Sequence, residues 1–143
     1  MCLLIDTNIA VLFFKSKDFE AARTAILEGR CCVYYGGKLR RELEKINEIR
    51  GILLALDSAG RAKALPDGPI DLRENELRNA NACESDDEHV IALAQISGSR
   101  LLCSNDDALG RDFRNKELLN SPRGSIYKRP THKHLLKKHC RSC

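Results

Sequence analysis

The amino-terminal stretch Cys2-Leu3-Leu4-Ile5-Asp6-Thr7-Asn8-Ile9 decides the reading of the whole chain. Four apolar residues run into a polar triplet, and apolar character resumes at once from Ile9 to Phe14. A short apolar run bounded by polar residues reads as a strand buried on both faces. The residues after it read as a helix over Ile9 to Lys15, with Asp6 or Thr7 available as its cap. Strand, acid, helix is the unit from which a parallel sheet is built.

The same alternation recurs. A helix is expected from Phe19 to Glu28, stopped by Gly29, and a second buried strand from Cys31 to Tyr35. Gly36 and Gly37 turn the chain into a long helix over Lys38 to Leu56. Ala59 to Leu72, with Gly60, Pro66, Gly68 and Pro69, reads as a loop, and a polar helix as following from Arg73 to Cys83. Ser85 and Glu88 have the spacing of a capping box for a helix to Ile96, ended by Gly98. Strands are then expected at Arg100 to Cys103 and Ser125 to Tyr127. The sum is an α/β sandwich on a mostly parallel sheet.

Composition narrows the class. With 143 residues, 43% apolar and 31% charged, the chain has material for one core and one polar surface. No apolar run approaches the roughly 20 residues of a membrane span. No basic stretch precedes the first apolar run, so a secretory signal is not expected and a cytoplasmic location is. Seven cysteines, an odd number, are expected as reduced thiols. Arg123 to Cys143 carries seven Lys and Arg and no acid, while the rest of the chain holds 17 basic against 20 acidic residues. A basic tail on an acidic globule suits a polyanionic partner, and equally a solvated terminus.

The acids are placed unevenly. Asp6 follows the first strand, and Asp106 and Asp107 follow Arg100 to Cys103 through Ser104 and Asn105. In parallel sheets, ligands collect at the carboxyl ends of strands, although an acid there also serves as turn former or cap. On the Lys38 helix, Glu42 falls about 60° from Leu39, within the apolar stripe of Leu39, Leu43, Ile46, Ile49 and Leu53. Glu44 and Glu48 fall about 140° and 180° away, towards solvent. Asp87 lies within about 60° of Val90, Ile91 and Ala94 on its own helix. A core-facing carboxylate is costly unless paired or metal-bound. Asp6, Glu42, Asp87 and Asp106 therefore form a candidate site for a hard divalent cation, Mg²⁺ or Mn²⁺, which prefers oxygen ligands.

These residues resemble the PIN-domain ribonucleases, in particular the VapC-type toxins. Leu4-Ile5-Asp6-Thr7-Asn8 is similar to the family's strand ending in Asp-Thr/Ser-Asn. Glu42, in Leu39-Arg40-Arg41-Glu42-Leu43, stands where the family has a helical Glu. Asp87-Glu88-His89-Val90-Ile91-Ala92-Leu93-Ala94 resembles its Asp-led helix, and Leu101-Leu102-Cys103-Ser104-Asn105-Asp106 its strand ending in Thr/Ser-x-Asp. The resemblance spans Met1 to about Tyr127 and rests on four motifs in order. One slot departs from it: two positions after Asp106, where the family often has Asp or Asn, this chain has Ala108, with Asp107 adjacent. The Asp-Thr-Asn strand end also differs from the Asp-x-Asp of haloacid-dehalogenase phosphatases, and receiver domains usually pair two acids after the first strand.

The resemblance implies a three-layer α/β/α sandwich with four or five strands, a nuclease domain over residues 1–127 and a basic tail over 128–143. It implies Asp6, Glu42, Asp87 and Asp106 as catalytic metal ligands, with Asp107 as a further one, and Thr7, Asn8 and Ser104 orienting them. The implied activity is Mg²⁺- or Mn²⁺-dependent hydrolysis of RNA, with an antitoxin protein and a second copy of the chain as partners. A catalytically weak RNA-binding or regulatory protein is the alternative. His89 reads as a packed or edge histidine. Lys128, Arg129, Lys133, Lys137 and Lys138 are candidate RNA-phosphate contacts. Cys140-x-x-Cys143, beside His132, His134 and His139, has the elements of a zinc clip without a second, separated ligand pair.

Overall fold

A computed structural model describes residues 2–143. The strands are β1 Leu3–Ile5, β2 Val33–Gly36, β3 Ala62–Leu65, β4 Leu101–Cys103 and β5 Ser125–Tyr127. All pair in parallel in the order β3-β2-β1-β4-β5. The helices are α1 Ala10–Lys15, α2 Glu20–Leu27, α3 Gly37–Glu44, α4 Asn47–Ser58, α5 Asp67–Asn79, α6 Glu88–Ser97, α7 Asp107–Arg114 and α8 His134–His139. The steps from β1 out to β3 and from β3 back across to β5 run in opposite senses. Right-handed crossovers therefore place helices on both faces, and the fold is a three-layer α/β sandwich. β1 and β4 are buried at every residue, as apolar runs inside a parallel sheet must be.

Several expectations are corrected. Ala62–Leu65 forms an edge strand inside the segment read as a loop, pairing Val33 with Ala62 through Gly36 with Leu65. Its Ala and Lys carry little strand preference, so only the partner strand reveals it. Gly68 and Pro69 open α5 instead of extending the loop. The first turn of a helix has no internal partner for its N–H groups, so proline costs nothing there.

The long helix over Lys38 to Leu56 is two helices, parted at Lys45 and at Ile46, whose backbone is extended. No Gly or Pro marks the break. It lets Leu39 and Leu43 on α3, and Ile49, Leu53 and Leu56 on α4, all reach the core. Gly37 starts α3 at φ +59°, and a Cβ there would lie 2.7 Å from Ile70 Cγ2.

Ser85 does not cap α6, which begins at Glu88 with Asp87 as the flanking residue. The buried Asp112 takes Ser85 instead, accepting from its N–H at 2.8 Å and its hydroxyl at 2.6 Å. The tail is not a free arm. It forms a 3₁₀ turn at Pro130–Lys133 and then α8, burying Leu136, His139 and Cys140. Among the described residues, no helix is long and apolar enough to cross a membrane.

Candidate active site

The strand order reverses direction between β1 and β4, so the crevice of this sheet opens beyond Ile5 and Cys103. Asp6 continues from β1, its N–H donating to the Cys103 carbonyl at 3.0 Å. It flanks the turn Thr7–Ile9, but its carboxylate makes no capping bond there. The capping role open to this acid is thus unfilled, and the side chain is buried at 6% exposure.

Ser104 joins the two acids of the crevice. Its hydroxyl donates to Asp6 Oδ2 at 2.8 Å and accepts the Asp106 N–H at 3.1 Å. Asp106 does cap a helix, its Oδ1 accepting the Leu109 N–H at 2.9 Å at the start of α7. Glu42 comes in from α3 and is half-buried, whereas Glu44 and Glu48 are exposed, as the helical stripe requires. Thr7 Oγ1 donates to Glu42 Oε1 at 3.4 Å. Asp87, also half-buried, precedes α6 and makes no side-chain cap bond.

The charges of these four groups reach one another. Burial pushes Asp6 above the usual carboxylate range; hydrogen bonding from the Ser104 hydroxyl and the Thr7 backbone N–H opposes this, and the charges of Asp106 and Glu42 add to it. Burial also raises Asp87, helped by Asp6, Asp106 and Glu42 and opposed by His89. Among the described residues, none of the four is ion-paired to Lys or Arg. The site is a cluster of unbalanced negative charge at the sheet's switch point.

His89 belongs to this site as well as to the core. It is 2% exposed, and its Nε2 lies 2.9 Å from Glu42 Oε1, while Nδ1 has no hydrogen-bond partner among the described residues. Its place in the first turn of the Asp87 helix was the signal available in the sequence. Asn8 is exposed, and no side-chain hydrogen bond ties it to the carboxylates among the described residues. Asp107 is exposed and turned to Lys128, whose Nζ lies 4.0 Å away. Lys133 and Lys137 stand apart from the carboxylates, lining a groove with Lys17 and Arg30, and Arg129 and Lys138 are exposed.

Four oxygen donors without a cationic partner suit a hard divalent ion by chemistry. Among the described residues, however, no three ligating side chains are disposed to share one ion. Mg²⁺ needs only one or two protein carboxylates, with water in its other positions, so the donor set is compatible with it. No protein-family model matches the chain, and no curated protein matches it closely enough to be called a relative.

Proposed function

We propose that this protein is a metal-dependent endoribonuclease of the PIN-domain kind, hydrolysing RNA phosphodiester bonds at the crevice between β1 and β4. The observation that supports the reading is the shared field of Asp6, Glu42, Asp87 and Asp106, brought from four elements with no Lys or Arg paired to them among the described residues. Asp6 and Asp87 would be the principal ligands of Mg²⁺ or Mn²⁺, with Glu42 and Asp106 completing the negative field. When bound, the ion would stabilise charge on the phosphodiester and make an attacking water more acidic.

The chain's own residues prepare that chemistry. Ser104 holds Asp6 by a hydrogen bond that favours its ionised form. His89 and Thr7 converge on the same oxygen of Glu42 and set its direction. Asp106 is held through Oδ1 by its capping bond, and its second oxygen would be the one to serve the ion. Lys128, beside Asp107 and directly after β5, would offer a positive charge for an RNA phosphate. A toxin role with an antitoxin and a second copy as partners, in the cytoplasm, belongs to the same reading.

A second reading, a catalytically weak RNA-binding protein, is favoured by Ala108 and by the absence, among the described residues, of a three-ligand group. One experiment separates them. Purified protein is incubated with single-stranded RNA and millimolar Mg²⁺ or Mn²⁺, alongside a chelator control and the Asp6→Asn variant. The enzyme reading expects cleavage that the chelator abolishes and the variant lowers by about 100-fold or more. RNA binding without metal-dependent cleavage selects the second.

A further inference from the structure

Five of the seven cysteines gather at the amino edge of the sheet, opposite the carboxylate crevice. Cys2 precedes β1, and Cys31 and Cys32 precede β2. Cys140 and Cys143 return to the same place from the tail, where the Cys2 thiol lies 3.7 Å from the Arg141 carbonyl. Cys31 pairs with Cys140 and Cys32 with Cys143, at Cα separations of 4.8 and 5.0 Å, within the span a disulfide bridges. Four of these five sulfurs therefore stand as two pairs, and Cys2 remains a thiol.

A groove of about 810 Å³ lies between α2 and the tail. Arg30, the neighbour of Cys31, lies on one wall with Lys17. Lys133 and Lys137, the latter three residues before Cys140, lie on the other. The second wall is therefore the tail itself. Apart from the bridges, the end of α8 is held by Leu136 and by His139, whose Nε2 lies 3.0 Å from Ser125 Oγ.

Access to the two bridges differs. Cys31 and Cys140 are both buried, whereas Cys32 is buried and Cys143 is exposed. We propose that the Cys32–Cys143 bridge is a thiol–disulfide exchange site for a dithiol reductant, and that the two bridges together form a two-stage latch on the basic tail. A thiolate of the dithiol attacks a sulfur of the outer bridge, breaking its S–S bond, and the displaced cysteine thiolate takes a proton. The second thiol of the reductant then breaks the mixed disulfide, losing its proton and releasing the other cysteine as a thiol. Two electrons pass to the bridge, and the reductant leaves as its own disulfide. The inner bridge consumes a second equivalent in the same way. While either bridge is intact the tail cannot leave, so only the second reduction frees the wall carrying Lys133 and Lys137.

The test uses the air-equilibrated full chain, titrated with dithiothreitol, alkylated and mapped by peptide mass, with tryptic cleavage after Lys133 and Lys137 followed in parallel. Cys32 and Cys143 should become alkylated at lower reductant than Cys31 and Cys140. Tail cleavage should accelerate by about tenfold only when both bridges are open, an expected effect on the exposure-controlled scale of local opening. Cys143→Ser should keep the slow rate without reductant, and Cys140→Ser with Cys143→Ser should show the fast one. The titration uses the wild-type chain, so it decides the matter even where the double variant does not fold. All four thiols alkylating without reductant, with or without bound zinc, would overturn the latch, as would opening of the inner bridge first or equal tail cleavage in both states.

Discussion

The buried imidazole of His89 meets Glu42 through Nε2 and Oε1 at 2.9 Å, joining the first turn of α6 to the last turn of α3. Among the described residues, Thr7 Oγ1 is the other hydrogen-bond partner of that oxygen, at 3.4 Å. His89→Ala would free the carboxylate to turn away from the crevice. Single-turnover RNA cleavage should fall by about 10- to 100-fold, the usual effect of losing a residue that orients a ligand. His89→Gln, which can still donate a hydrogen bond, should recover part of the rate. Full activity in His89→Ala would show that Glu42 needs no such support.

Ser104 is the hinge between Asp6 and Asp106, bonding the carboxylate of one and the backbone of the other. Its bond favours the ionised form of Asp6, so Ser104→Ala should raise the pKa of that carboxyl further. The acid limb of the cleavage pH profile should move to higher pH, with the plateau rate lowered by about 10-fold or more. An unmoved limb would separate Asp6 from the titration that limits cleavage.

Asp87 is raised by burial and by its acidic neighbours, so its ionised form is disfavoured in the folded chain. For a carboxyl with a raised folded pKa, the stability present below the unfolded value is lost as pH rises through the folded one. Asp87→Asn should therefore raise the metal-free melting temperature near neutral pH, by roughly 2–4 °C for each kcal/mol recovered. Mg²⁺ should raise the wild-type melting temperature by mass action and the variant's by less. Thermal scans with and without millimolar Mg²⁺ measure both effects.

His139 titrates in the opposite direction. Burial, with Lys138 and Arg100 adding repulsion, lowers it from 6.5 to about 4. The unfolded chain then binds the proton first, so stability is complete above pH 6.5 and falls as pH drops towards 4. The loss should reach up to about 3 kcal/mol. Denaturant unfolding across that range should show a slope that His139→Gln removes. The expected pH dependence comes from the tail, far along the chain from the carboxylates.

Much of the fold was legible because its signals are local. Leu3 to Ile5 and Leu101 to Cys103 are apolar runs that only a sheet covered on both faces can bury. The acids after them fall at its carboxyl edge by connectivity alone. Glu42 was separable from Glu44 and Glu48 because helical periodicity decides which side of α3 a residue takes. The edge strand Ala62–Leu65 was not legible, since its identity lies in the hydrogen bonds of β2 and not in its own residues.

What the sequence determined by itself was the α/β class, the central strands, and the placing of Asp6 and Asp106 just beyond the carboxyl ends of two of them, all consequences of hydrophobic period and chain direction. The tertiary structure alone decided the contacts between residues far apart along the chain. It broke one apolar helical stripe into α3 and α4, so that two rows of side chains could reach the core from different directions. It brought His89 to Glu42 across 47 positions and Ser104 to Asp6 across 98. It joined Cys31 to Cys140 across 109, where the odd cysteine count had suggested reduced thiols. Periodicity tells each segment which side to bury, but a partner from another segment is chosen only when the packed layers bring the two within reach.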